Sequence, residues 1–180
     1  MKMETVIDPV PTLTAGRFVM RPIRRSDAGL IALHAGDLRV ARMTSSIPHP
    51  LPPGAIEAYI ARVSGAATSE DVWVLDGSEH GLAEVLGVMS LKRLDRDQAE
   101  IGYWVAPAFW NTGIASEALK LLLDSNPRKV RTVFGTVFQD NPGSARVLTN
   151  AGFDYLGDAE TYCVARAAKV PTWTYMRKLG

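Results

Sequence analysis

The stretch AEIGYWVAPAFWNTGIASEALKLLL, residues 99–123, decides how the chain is read. Its first seven residues alternate, Glu100, Gly102 and Trp104 on one side and Ile101, Tyr103 and Val105 on the other, which is the two-residue period of a strand. After the strand the chain turns at Gly113 into a helix reaching about Asp124. The first amides of a helix have no internal partner, and with the helix dipole they form a site for an anion such as a phosphate. Ala115 and Ser116 are small enough to let a ligand close on the backbone. The same letters also fit an ordinary helix start with a flexible glycine. Neither the Gly-Lys-Ser/Thr of a P-loop nor the G-x-G-x-x-G dinucleotide fingerprint occurs in the chain.

Upstream, LTAGRFVMRPI (residues 13–23) reads as a first strand ending at Pro22. Ser26 can cap a helix running to about Leu38. A proline-rich loop, Ile47 to Gly54, precedes a helix in which Ile56, Tyr59, Ile60 and Val63 share a face. Strands follow at Val72 to Leu75, Val85 to Leu94 and Glu100 to Val105, with a hairpin turn at Asp95 to Asp97. Downstream of the opening stretch come a strand (Val130 to Phe138), a helix (Pro142 to Ala151), a strand near Phe153 and a last strand, Thr172 to Leu179. Antiparallel strands followed by strand, helix, strand, helix, strand predict a mixed sheet with helices on its faces. The crossover helix forces Glu100 to Val105 and Val130 to Phe138 to run parallel. Ligands of such sheets gather beyond the carboxyl ends of the strands, on the side of the Gly113 turn.

Two further groups carry chemistry. In DNPGSARVLTNAGF, residues 140–153, Asn141 suits the helix cap, Pro142 the first turn and Gly152 the end. Packing does not account for Ser144, whose hydroxyl in the first turn points to the same sheet edge as the glycine turn. Glu100 opens its strand beside the gap left by Gly102, and a carboxylate made more basic by partial desolvation there can act as a general base. A solvated residue at a strand end is the other reading of Glu100.

Composition bounds the rest. A length of 180 residues suits one domain, here 13–180 behind an N-terminal extension at 1–12. Apolar residues at 47% and charged residues at 22% are those of a globular protein, and a net charge of +1 is too small to imply a general polyanion-binding surface. The basic clusters Arg21, Arg24, Arg25 and Arg128, Lys129, Arg131 lack interleaved aromatics and read as solvated surface, so no nucleic-acid partner is expected. Cys163, the one cysteine, permits no internal disulfide, and His34, His49 and His80 show no metal-ligand spacing, so no metal is expected. The N-terminus lacks a signal-peptide pattern, and no apolar run approaches the roughly 18 residues of a membrane span. The expectation is a soluble cytoplasmic protein with no membrane partner.

In order and spacing, AEIGYWVAPAFWNTGIASEALKLLL and VFQDNPGSARVLTNAGF resemble the GNAT superfamily of acetyl-CoA-dependent N-acetyltransferases. With FVMRPIRRSDAGLIALHAGD (residues 18–37) they look most like the branch of the ribosomal-protein N-terminal alanine acetyltransferases. The resemblance implies a single α+β domain with a mostly antiparallel sheet, one splayed parallel pair and helices on both faces. It implies that acetyl-CoA is the co-substrate, with its pantetheine arm on the backbone near Val105 and at Asn141. The pyrophosphate would lie on the amides of Asn111, Thr112, Gly113, Ile114 and Ala115. Ser144 would lie near the sulfur and give the leaving thiolate a proton, the Val105 amide would take the oxyanion, and Glu100 would free the amine.

Several positions depart from that pattern. Trp110 stands where relatives carry Arg or Gln, Asn111 where they carry Gly, Leu148 in place of a tyrosine acid, and Asn150 in place of a lysine for which Arg146 can compensate. The acceptor amine is expected between Met43 to Gly54 and Gly157 to Pro171, with His49, Tyr59, Tyr155 and Tyr162 as lining candidates. Small molecule and protein N-terminus both stay open, as does a homodimer. The alternative is a module that binds acyl-CoA without turning it over.

Overall fold

The computed structural model describes residues 9–180, so Met1 to Asp8 of the expected N-terminal extension lie outside the described residues. One eight-stranded sheet runs through the molecule in the order β1-β2-β3-β4-β5-β6-β8-β7. Its strands are β1 (Leu13–Thr14), β2 (Val19–Pro22), β3 (Glu70–Asp76), β4 (Gly87–Arg93), β5 (Gln98–Val105), β6 (Thr132–Phe138), β7 (Asp154–Cys163) and β8 (Ala168–Lys178). Every neighbouring pair is antiparallel except β5 with β6, the pair for which the crossover helix demanded parallel strands.

The sheet separates two cores. On one face α4 (Ile114–Ser125) and α5 (Pro142–Asn150) pack Leu119, Leu122 and Leu148 against Met89, Ile101 and Val133. On the other, α1 (Ala28–Ala35) and α3 (Ala55–Val63) pack Ile31, Ile56 and Ile60 against Val72, Val74 and Val88, with the short α2 (Leu38–Ala41) beside them. Strand alternation makes this possible: Trp73 and Leu75 enter the first core while Val72 and Val74 enter the second. Residues just before β1 belong to the fold as well, since Val10 packs on the first core and the buried Trp73 donates its indole N–H to Pro11 O at 2.8 Å.

Three local expectations change. The helix from Ser26 to Leu38 is broken: a tight turn at Arg25–Asp27 leads into α1, and Asp37 opens α2 by accepting from the Arg39 amide. Ser26 does not cap it, because the buried Asp27 takes the Arg24 amide at 2.9 Å and is held inward by Arg21. The strand near Phe153 and the last strand are halves of one long hairpin, β7–β8, reaching from Asp154 to Lys178. Arg21 and Arg128 are not solvated surface: Arg21 lies buried between Asp27 (2.7 Å) and Asp76 (2.8 Å), and Arg128 grips the buried Asp71 at 2.8 Å.

Candidate active site

β5 and β6 pair only from Gln98–Thr132 to Ile101–Gly135, although β5 runs on to Val105 and β6 to Phe138. Beyond that point β5 stays bonded to β4 as far as Gly87–Val105, and β6 stays bonded to β8 as far as Phe138–Thr172, so the sheet opens between the two parallel strands. The Ala106 amide donates to Leu86 O on the β4 side at 2.8 Å. The Val105 carbonyl belongs to the same planar peptide and therefore points the opposite way, into the opening. There it accepts the Trp110 indole N–H at 2.7 Å.

The start of α4 faces this opening. Gly113, in the left-handed region at φ 80°, ends the turn, and no side chain caps the helix. Asn111 is also left-handed, at φ 60°. Among non-glycine residues asparagine tolerates that region best, so the departure from glycine at 111 keeps the loop's backbone conformation. Arg17 braces the turn from behind, donating to Thr112 O at 2.9 Å and to the Glu117 carboxylate at 2.9 Å. A groove of about 520 Å³ results, lined by Tyr103, Val105, the segment from Trp110 to Ser116, and from α5 by Asn141, Ser144, Arg146 and Asn150.

At α5 the expected cap is present: Asn141 Oδ1 accepts from the Ser144 amide at 3.4 Å, with Pro142 in the first turn. Ser144 meets Tyr103, which strand alternation alone places no further than a face of β5. The Tyr103 hydroxyl is 2.8 Å from Ser144 Oγ and donates to Ser144 O at 3.1 Å. Burial pushes the Tyr103 hydroxyl up to about 12 against the opposing pull of the Ser144 bond, so it stays protonated through the neutral range. Leu148 is buried in the core, and a Cβ placed on Gly135 would come within 2.9 Å of its Cδ1.

Glu100 lies on the other face. The partial desolvation expected of it is not found: it is exposed, opposite Lys92 across β4. It lines a second cavity of about 880 Å³ between the sheet and the α1–α3 layer, together with Ser90, Lys92, Tyr59, Arg62, Glu70 and the loop from Met43 to Pro48. Of the expected acceptor residues Tyr59 lines this cavity, whereas His49 does not, and Tyr155 and Tyr162 stand exposed on β7. The segment from Gly157 to Pro171 contributes Thr161. The two cavities share Met43, Ile101, Gly102, Tyr103, Trp104 and Thr136, and so they meet where β5 and β6 part.

The loop over this meeting point is fastened to the β7–β8 hairpin. The buried Cys163 thiol donates to Thr44 O at 3.2 Å, and Arg166 donates to Arg42 O at 2.8 Å while pairing with Asp140 at 2.6 Å. Cys163 thereby serves to hold the loop to the hairpin. Among the described residues no three His, Cys, Asp or Glu side chains are grouped to hold a metal ion, and no helix is long and apolar enough to cross a membrane.

A sheet opened between its single parallel pair, with uncapped helix amides facing the opening, defines an acetyltransferase of the GNAT class. The family described as "Acetyltransferase (GNAT) domain" matches residues 17–154, and the chain belongs to it. Nothing among curated proteins matches. Among solved structures the chain is similar to RimJ of Mycobacterium smegmatis in complex with CoA-disulfide, with a TM-score of 0.77 and 20% identity, covering 95% of this chain and 87% of that one. It is also similar to the ribosomal-protein-S5-alanine acetyltransferase of Vibrio fischeri (TM-score 0.75, 19% identity, 93% and 96% covered). A third is the spermidine N-acetyltransferase of Vibrio cholerae in complex with CoA and spermine (TM-score 0.72, 16% identity, 89% and 95% covered). At these identities the likeness is one of fold.

Proposed function

We propose that the chain transfers an acetyl group from acetyl-CoA to a primary amine by direct attack within a ternary complex. The observation that carries this reading is the meeting of two cavities, one from each face of the sheet, at the opening between β5 and β6. One has the donors an acyl-CoA needs. The amides from Asn111 to Ala115, including Thr112, Gly113 and Ile114, face a pyrophosphate. Arg146 adds positive charge, and Asn141 and the Val105 backbone offer polar partners to the pantetheine arm. Bound there, acetyl-CoA supplies a thioester already activated for acyl transfer.

The other cavity admits the amine. An amine is protonated at neutral pH, so a base must free its lone pair, and Glu100 on the cavity wall is that base, directly or through water. Nitrogen bonds to the acetyl carbon as the carbonyl electron pair moves onto oxygen, and when that oxyanion collapses the carbon–sulfur bond breaks and its electron pair leaves with sulfur. The Val105 amide, directed into the opening like its carbonyl, donates to the oxyanion. Ser144 gives sulfur a proton. The ammonium loses two protons and sulfur takes one, so each turnover releases one to solvent.

The acceptor's body is read by the larger cavity. Arg62 and Lys92 balance Glu70 and Glu100 there, so the lining offers no surplus of negative charge to a polyamine. A peptide N-terminus, with one cationic group followed by neutral amides, suits that lining better than a polycation. Thiol release measured with acetyl-CoA and a panel of peptides, amino sugars and polyamines tests the reading. Release matched by acetylated product, greatest with single-cation amines, is expected; CoA binding without turnover on any amine would instead support an acyl-CoA sensor.

A further inference from the structure

Tyr103 belongs to β5, two residues before Val105, and reaches α5, where Ser144 is its hydrogen-bond partner 41 residues along the chain. Resting on the transferase reading above, we propose that Tyr103 is a positioning residue whose hydroxyl donates to Ser144 Oγ and so directs the Ser144 proton to the departing sulfur.

The geometry supplies two acceptors for one phenolic proton. Ser144 O lies 3.1 Å and Ser144 Oγ 2.8 Å from the Tyr103 hydroxyl. With the Tyr103 proton on Ser144 O, the Ser144 hydroxyl donates back to the Tyr103 oxygen and the pair is closed. When sulfur offers an acceptor, the Tyr103 proton moves to Ser144 Oγ and the Ser144 proton turns outward. Every hydroxyl is satisfied in both arrangements, so the switch leaves no buried polar group unpaired. Among the described residues Tyr103 makes no hydrogen bond other than these two to Ser144. Its phenol is held protonated by burial, which keeps it a donor throughout the working range.

The step balances with Tyr103 keeping its proton. The carbon–sulfur pair leaves on sulfur, the Ser144 proton goes to sulfur, and Ser144 recovers a proton from water in the open groove. Tyr103 also lines both cavities, which places it where cofactor and acceptor spaces join. The alternative donor on α5 is missing, since Leu148 is apolar and buried in the core.

A double-mutant cycle tests this. Tyr103→Phe is expected to lower kcat about three- to tenfold, the scale of one neutral hydrogen bond, with KM for acetyl-CoA nearly unchanged. Ser144→Ala is expected to lose about tenfold, and the double variant no more than Ser144→Ala alone, because Tyr103 acts through Ser144. Acetyl donors with a more acidic leaving thiol should shrink the Tyr103→Phe loss, which a merely structural role would leave unchanged. Losses that multiply, or a Tyr103→Phe defect confined to KM, overturn the assignment. A wild-type protein that releases no thiol with any amine overturns the transferase reading itself, and is distinguished from the first failure by the wild-type rate.

Discussion

Thr172 lies on β8 opposite Phe138 and Ala159, at the wall of the larger cavity. It is 1% exposed, and among the described residues its Oγ1 has no hydrogen-bond partner. A buried hydroxyl in that state has lost its hydration without replacement, a penalty of about 1–3 kcal/mol. Valine keeps the shape, replaces the hydroxyl by a methyl and favours a strand at least as well. Thr172→Val should therefore stabilise the protein by about 1–2 kcal/mol. Unfolding entropy of about 2.1 cal/mol/K per residue, over 180 residues, gives roughly 0.4 kcal/mol/K, so the midpoint should rise by about 3–5 °C. Thermal and urea unfolding followed by circular dichroism measure this, with Thr172→Ala as a control that removes the methyl as well. The reasoning is refuted if Thr172→Val loses 1 kcal/mol or more at unchanged urea m-value, because the hydroxyl would then have a partner.

Three other outcomes are expected. Glu100→Gln should lower turnover by roughly 10² with CoA affinity nearly intact; an unchanged rate with a slowly reacting amine removes Glu100 from the chemistry. Trp110→Phe keeps an aromatic ring but deletes the donor to Val105 O, and should raise KM for acetyl-CoA by about two- to tenfold, read from initial rates at saturating amine. Arg21→Met strands Asp27 and Asp76 and should cost about 3–5 kcal/mol at neutral pH in urea unfolding. Burial works to raise the Asp76 carboxyl, but bonds from Arg21 and Ser78 outweigh it and hold it below its ordinary 3.8. That stability is present above 3.8 and lost as pH falls from there through the folded value, so the gap between wild type and Arg21→Met should narrow as the pH falls below 3.8.

Legibility followed how local each cause was. The strand through Ile101, Tyr103 and Val105, the left-handed Gly113 and the cap at Asn141 are decided within a few residues, and each is where the letters place it. The parallel pairing of β5 with β6 followed from the crossover alone. The hairpin β7–β8 was underestimated because β7 is an edge strand, and DYLGDAETYC buries only its last residue, leaving no two-residue pattern to read. Arg21 was grouped with its sequence neighbours, whereas its partner Asp76 is 55 residues away on the adjacent strand. Glu100 was found by motif, but its exposure depends on how far the α1–α3 layer stands from the sheet, which no local pattern encodes.

The position of Leu148 links the departures to the site. The family resemblance implies a tyrosine there, and here a leucine packs against Gly135 so closely that even a methyl on that glycine would come within 2.9 Å of it. The leucine closes the first core under β6 and leaves the groove before α4 without a hydroxyl from that turn of α5. A hydroxyl arrives instead from the facing strand, through Tyr103, and meets Ser144 one turn earlier on the helix. Packing and the proposed proton donation, which a tyrosine at 148 would have to combine, are divided between Leu148 and Ser144 on α5, with Tyr103 approaching from the facing strand. Core packing at 148 and the proposed proton path at 103 and 144 can then be altered independently, which is the condition that makes the Tyr103–Ser144 cycle interpretable.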